Sequence, residues 1–352
     1  RLALGTNTTA SYNTAVGDTA LYANTTGANN TASGYQALKS NTTGSNNTAL
    51  GYNVLSSNTT GQYNIGIGGN DATNLTTLGN NTTGSSNVAV GMAALLNNTT
   101  ASNNTAVGYQ SLRANTTASY NTATGYQSLY SNTTGTQNSV LGYQALYSNT
   151  VGSYCAAVGK DALKVNVSGN FNAAFGGLSL RANTTGAQNT ACGSYALQNN
   201  TTGNYNIAIG YNANASTATV SGQCTLGDAN ISNLRCNDTS ISTLSDERDK
   251  KNIVDIPLGL DFINTLRPVA FDWERRDGSF EGRKDFGFIA QELKIAQDAT
   301  PYADNMRLVH TDNPDKLEAD PMKTFPIMMK AIQELSAMVE TLQAEVNTLK
   351  GA

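Results

Sequence analysis

Asn104-Thr-Ala-Val-Gly108-Tyr-Gln-Ser-Leu112-Arg-Ala-Asn115-Thr-Thr117 holds the pattern on which the fold of this chain turns. Versions of it place a glycine at Gly17, Gly34, Gly51 and Gly68. After six inserted residues the series resumes at Gly91, Gly108, Gly125, Gly142, Gly159, Gly176, Gly193 and Gly210, a period of 17. A fixed period held this long is the mark of one supersecondary unit stacked on itself. Residues one and three before each glycine are mostly apolar or Thr, as in Val88 and Val90 or Ile207 and Ile209. The residue between them is small, as in Ala32, Ala49, Gly66, Ala106 and Ala123. Period-two alternation reads as a short strand with one face toward a core, and the flanking apolar pair is expected on that face. The small residue then points to close contact with something else, most economically another copy of the chain. Four residues after the glycine stands Leu, as at Leu21, Leu38, Leu112 and Leu163, expected to fill the coil interior. The glycines and the Asn-Thr-Thr-Gly segments supply the turns. At about 4.8 Å per coil, the stack predicts a rod on the order of 60 Å.

Composition divides the chain near residue 245. Residues 1–244 carry 7 basic and 5 acidic residues, whereas residues 245–352 carry 14 and 20, with all six prolines, Trp273 and His310. The expected organisation is a repeat shaft over 1–227, a connector over 228–244, an α+β domain over 245–326 and a terminal helix over 327–352. No stretch has the roughly 18 apolar residues of a membrane helix. No basic patch of the kind nucleic acid requires stands out. The start at Arg1, in mid-pattern and without Met, is read as the loss of an upstream segment. Cys155, Cys192, Cys224 and Cys236 match no metal spacing and are expected to be free, partly buried thiols. No cofactor and no metal is expected.

The Asn-Thr-Ala-Val-Gly and Asn-Ile-Ala-Ile-Gly segments over residues 1–227 resemble the head repeats of trimeric autotransporter adhesins, a style shared with phage tail fibres. The resemblance implies a mainly β fold, a parallel β-roll or β-solenoid with three chains side by side. Two features of the repeat stay open. Tyr35, Tyr52, Tyr109, Tyr126, Tyr143 and Tyr211 form a ladder that stacks on sugar rings or else covers the coil and seals a chain interface. The Asn-Thr-Thr triplets beginning at Asn24, Asn41, Asn58, Asn81, Asn98, Asn115, Asn132, Asn183 and Asn200 are formal N-glycosylation acceptors or a hydrogen-bonding ladder. The insertion around Asp71–Gly79 is a candidate contact site.

Residues 245–253 read Ser-Asp-Glu-Arg-Asp-Lys-Lys-Asn-Ile, followed by Arg267-Pro-Val-Ala-Phe-Asp-Trp273 and Gly287-Phe-Ile-Ala-Gln-Glu-Leu293. In this order they resemble the C-terminal intramolecular chaperone of phage tail spikes and fibres, the autoprocessing peptidase family of the endosialidases. The resemblance implies Ser245 as nucleophile on the carbonyl of Leu244 and Lys250 as acceptor of the hydroxyl proton. A lysine does this near neutral pH only when burial or a neighbouring cation favours its uncharged form. Arg248 and Lys251 are candidate neighbours, and Asp246 either orients the lysine or caps a turn. Any catalysis would be a single self-cleavage, with no external substrate.

The terminal helix carries an apolar seam at Met328, Ile332, Leu335, Val339, Leu342, Val346 and Leu349, spaced 4,3,4,3,4,3 as in a coiled coil. Its β-branched a positions and Leu d positions favour a dimer by the usual rule, whereas the resemblance implies a trimer. Identical repeats also pair one coil out of step at little cost, which calls for a device that sets register. The leading expectation is therefore a homotrimeric tail-fibre or other extracellular appendage that binds a surface glycan or protein receptor and is assembled by its own chaperone. A membrane-anchored surface adhesin would need strands of alternating polarity at its C-terminus, where this chain has a charged helix. A glycan-cleaving spike would need paired carboxylates. The repeat offers only Asp18, Asp71, Asp161, Asp228 and Asp238, at unrelated phases.

Overall fold

A computed structural model describes residues 2–69, 75–231, 235, 245–276 and 281–351. Most of the expected connector, Leu244 and Cys236 included, and Asp71 to Asn74 of the insertion lie outside the described residues. The chain forms two units, Arg1–Asp228 and Ala229–Ala352.

The first unit is a parallel β-solenoid. Thirteen three-residue strands, β1 (Thr14–Val16) to β13 (Cys224–Leu226), lie in one sheet in strict sequence order. Each strand pairs in parallel with the next one coil on, so that Thr105, Ala106 and Val107 face Thr122, Ala123 and Thr124. The repeat is thus a coil, with sequence neighbours at a separation of 17 becoming neighbours in space. Gly108 shows why the glycine recurs. Its φ is 129°, and a Cβ there would come within 2.5 Å of the carbonyl oxygen of Gly125. Both the backbone conformation and the space exclude a side chain.

The core is the leucine column: Leu21, Leu38, Leu55, Leu78, Leu95, Leu112, Leu129, Leu146, Leu163, Leu180 and Leu197 are buried. Every one of these leucines sits in the left-handed region, Leu112 at φ 53°. That conformation costs roughly 1–2 kcal/mol for a residue with a Cβ. Full burial of a leucine side chain returns about 1.5–3 kcal/mol, and a glycine would turn the corner but leave the coil empty.

Strand polarity is opposite to the sequence expectation. The middle residue faces inward, with Ala32, Ala49, Ala89, Ala106 and Ala123 fully buried. The flanking apolar residues face outward, with Val16, Leu50, Ile67, Leu141, Phe175 and Ile209 exposed. Alternation permits either choice, and volume decides it. The leucine of each coil already fills the interior, leaving room opposite the strand for a methyl group only. One coil proves the rule by breaking it. Val54 takes a place usually held by Ala or Ser, and the strand residue packed against it is Gly66. A Cβ on Gly66 would lie 2.5 Å from Val54 Cγ1.

Two asparagine ladders flank this core. Asn115 donates from Nδ2 to Asn98 Oδ1 at 3.0 Å and to the Ala118 carbonyl at 2.9 Å, and its own Oδ1 accepts from Asn132. In the second ladder the Asn121 amide N donates to Asn104 Oδ1, while Asn121 Nδ2 reaches the Gly135 carbonyl. Cys155 occupies a rung of this second ladder, with Sγ 3.3 Å from the Gly169 carbonyl. Burial pushes its thiol up from 9.0 to about 11. Cys192 and Cys224 lie on the outward strand face and are exposed, not partly buried as expected.

The second unit is small and α+β. It holds α1 (Leu260–Ile263), the antiparallel pair β14 (Val269–Asp272) and β15 (Lys284–Gly287), α2 (Ala290–Asp298) and α3 (Ala303–Met306). The short pair β16 (Val309–His310) and β17 (Glu318–Ala319) and the long α4 (Phe325–Gly351) complete it. Its core gathers Phe262, Leu293, Met306, Leu308, Val309 and Ile327. Glu334 Oε2 accepts the Leu260 amide at 2.8 Å and so pins the first part of α4 to α1.

Two outcomes test this packing. Gly66→Ala should lower stability by about 2 kcal/mol through overpacking, and Val54→Ala in the same chain should restore most of the loss, read by chemical denaturation. In a Cys236→Ser background, a thiol reagent should modify Cys192 and Cys224 in the native protein and reach Cys155 only on unfolding. Because the folded-state value of Cys155 is the higher one, its contribution to stability should be complete below pH 9 and decline as the pH rises toward about 11.

Candidate functional site

The segment opening at Ser245 is shaped by its own side chains. Asp246 stands at the start of a single 3-10 turn, Glu247–Asp249, where its Oδ1 accepts the Arg248 amide at 2.9 Å. The Arg248 guanidinium folds back on the same carboxylate, Nη2 to Oδ2 at 2.6 Å and Nε to Oδ1 at 3.0 Å. This arginine holds the Asp246 carboxyl below the usual carboxylate range. The Lys250 amide closes the turn on the Glu247 carbonyl. The consequence is geometric: five residues of chain are bent so that Lys250 Nζ donates to Ser245 Oγ at 2.7 Å and to the Ser245 carbonyl at 3.1 Å.

Of the two roles left open for Asp246, the structure shows the cap. Its charge is taken by Arg248 and not by Lys250. Arg248 is in turn committed to Asp246, and Lys251 is exposed beside the turn. Ser245 and Lys250 are both exposed in the single chain. The carbonyl of Leu244 lies outside the described residues.

Farther along, Arg267 and Glu292 form an ion pair that holds the Glu292 carboxyl below its ordinary range. It joins the start of β14 to α2, the two segments whose motifs stand out in the sequence. On α4, only Ile327 and Ala331 are buried. Met328, Ile332, Leu335, Val339, Leu342, Val346 and Leu349 are all exposed, Val339 at 61 %. Glu334 is the residue whose part was not legible, since its partner is a backbone amide 74 positions away.

On the solenoid, the asparagines of the Asn-Thr-Thr triplets are buried, with their amides used in the ladder. The folded coil therefore presents no N-glycosylation acceptor at these asparagines, and the ladder reading replaces the other. Tyr109, Tyr126 and Tyr143 stack at 5.3 and 5.2 Å between ring centroids, and Tyr35 stacks on Tyr52. Rings stacked on one another offer hydroxyl edges outward and keep their faces for each other. Among the described residues, no group of three or more His, Cys, Asp or Glu is placed to hold a metal ion, and no helix is long and apolar enough to cross a membrane.

The chain thus combines a parallel β-solenoid with a small α+β unit whose long helix leaves most of its apolar seam exposed. Residues 245–301 match the family described as chaperone of endosialidase, Peptidase S74, and the match begins at Ser245 itself. The first part of the second unit is thus similar to an intramolecular-chaperone module of that kind. No curated protein and no solved structure matches the chain.

Proposed function

We propose that the chain is one strand of a homotrimeric surface-attachment fibre whose chaperone unit aligns three copies and then cuts itself off between Leu244 and Ser245. The observation that carries the reading is the 2.7 Å contact of Lys250 Nζ with Ser245 Oγ at the first residue of the chaperone match. In the reaction, uncharged Lys250 takes the hydroxyl proton as Ser245 Oγ bonds to the Leu244 carbonyl carbon. The Leu244–Ser245 C–N bond breaks, and the proton passes to the departing Ser245 amine. Water then hydrolyses the ester, leaving a Leu244 carboxylate and restoring the serine hydroxyl. The event happens once per chain.

Exposure gives this chemistry its timing. A lysine acts as a base near neutral pH only where burial or a neighbouring cation favours its uncharged form, and Lys250 is exposed in the single chain. Burial by neighbouring copies supplies the missing activation, which ties the cut to completed assembly. The seam of α4 supports the gathering step. In the heptad with Ile332, Val339 and Val346 at a, the g position Met338 is apolar and exposed and the e position Ser336 is small. This widens the apolar face beyond what two helices cover and favours three. Glu345 at g and Lys350 at the following e form an attractive pair only between parallel helices. On the solenoid, the outward strand column holding Leu50, Ile67, Leu141, Phe175 and Ile209 is mostly apolar, interrupted at Ser33 and Thr124, and is fit to be covered by an adjacent chain with the same period.

Expression of the full chain should yield a C-terminal fragment beginning at Ser245. Ser245→Ala and Lys250→Ala should leave it intact, and Lys250→Arg should as well, because a guanidinium does not surrender its proton. Leu335→Asp with Leu342→Asp should give monomers by light scattering and slow fragment release by at least about tenfold. Cleavage at an undiminished rate in that monomer would refute the coupling to assembly.

A further inference from the structure

The solenoid is almost without charge, and what charge it has is gathered in one place. Among the described residues of this unit, Arg113, Lys160, Asp161, Lys164 and Arg181 fall within five consecutive coils, while Asp18, Lys39 and Asp228 are scattered elsewhere. The cluster has a net charge of +3. Arg113, Tyr130, Tyr147, Lys164 and Arg181 occupy one column, each 17 residues from the next. Backbone bonds from Ser131 to the Tyr147 carbonyl and from Ser148 to the Lys164 carbonyl keep the column in step.

Its side chains are held in place. Tyr130 and Tyr147 stack at 5.0 Å with an interplanar angle of 7°. Arg113 donates from Nη1 to the Tyr130 hydroxyl at 2.6 Å, its guanidinium carbon 5.4 Å from the ring centroid. Lys160, on the same coil as Lys164, stands over the Tyr143 ring. Asp161 is matched by Lys164 at 2.9 Å, which leaves Arg113, Lys160 and the exposed Arg181 unneutralised by any carboxylate among the described residues.

We propose that this column, with Lys160, binds an acidic polysaccharide laid along the solenoid axis. Resting on the reading of the solenoid as an attachment surface, the proposal gives that surface a place and a ligand class. Four steps of about 4.8 Å make a track of about 19 Å, the reach of a polymer and not of a single small anion. Cations stand at both ends of the track and phenol hydroxyls between them. The two faces of Tyr130 are occupied by Tyr147 and Arg113, so the ring meets a ligand with its hydroxyl edge. Sugar hydroxyls suit that edge, whereas nucleobases bind through open ring faces, which Tyr130 lacks. Carboxylate or sulfate groups on the sugar supply the charge that the cations lack. With so few charges elsewhere on the unit, little on the solenoid opposes the approach of an anionic chain.

The test uses the full chain with labelled polygalacturonate, heparin, neutral dextran and a single-stranded DNA oligonucleotide, at about 50 and 200 mM salt. Binding to polygalacturonate, heparin or both is expected, weakened by salt and absent for dextran. Which of the two binds tells carboxylate from sulfate. Arg113→Gln with Arg181→Gln should weaken binding at least tenfold (about 1.4 kcal/mol). Lys160→Gln, at an exposed position that leaves the column packing untouched, should weaken it severalfold if the double variant fails to fold. Unchanged binding in these variants, equal binding of dextran, tighter binding of DNA or no binding of either acidic polymer would each overturn the proposal. Light scattering and release of the Ser245 fragment on the same samples report on the fibre reading separately, so either can fail while the other stands.

Discussion

Everything in the solenoid depends on how little room each coil encloses. One leucine fills it, a methyl group opposite completes it, and the backbone of the next coil closes it. That constraint selects glycine at Gly108, drives Leu112 into a left-handed conformation, and forces the larger strand residues outward. It also explains the asparagines. A coil this narrow cannot bury its turn carbonyls against bulk hydrophobic packing, so Asn115 and its equivalents supply donors from inside. An unmet buried carbonyl costs about 1–3 kcal/mol, and every coil would otherwise repeat that cost.

The same economy creates the assembly problem. Coils that solve one packing problem in one way are interchangeable, and a sheet whose neighbours are 17 residues apart at every step but the one across the insertion contains little to distinguish one alignment of two chains from the next. In the buried interior, coils with a signature of their own are few: Val54 with Gly66, and Cys155 in the asparagine ladder. An alignment device must therefore come from outside the repeat. The second unit has what such a device needs, a long helix that buries its first turns on its own domain and leaves the rest of its apolar seam unmet.

Legibility in the sequence followed the distance over which each feature is determined. The coil period, the leucine column and the division near residue 245 are set by local repetition and composition, and could be read directly. Strand polarity could not. Alternation in Thr105-Ala106-Val107 marks two faces without saying which is inner, and the answer depends on the volume already taken by Leu112. The asparagine triplets were ambiguous for the same reason, since burial is a property of the stacked coils and not of the tripeptide. In the second unit, the Ser245 and Lys250 pair sits within six residues, and the Asp246 cap makes that proximity a local matter. Glu334 serves a backbone amide far away in sequence, and no pattern around it announces that.

The exposed dyad and the exposed seam are two expressions of one physical state. A single copy of the second unit has an exposed apolar helix face and an exposed Lys250 side chain hydrogen-bonded to the Ser245 hydroxyl. In the proposed assembly, association would relieve the first by burying side chains such as Leu335 and Leu342. Where it also excludes water from Lys250, it lowers the cost of removing that proton. Hydrophobic burial would then provide the free energy that shifts the lysine toward a base. On the proposed reading a separate sensor of assembly is unnecessary, because contacts between copies would themselves change the solvent around Ser245 and Lys250.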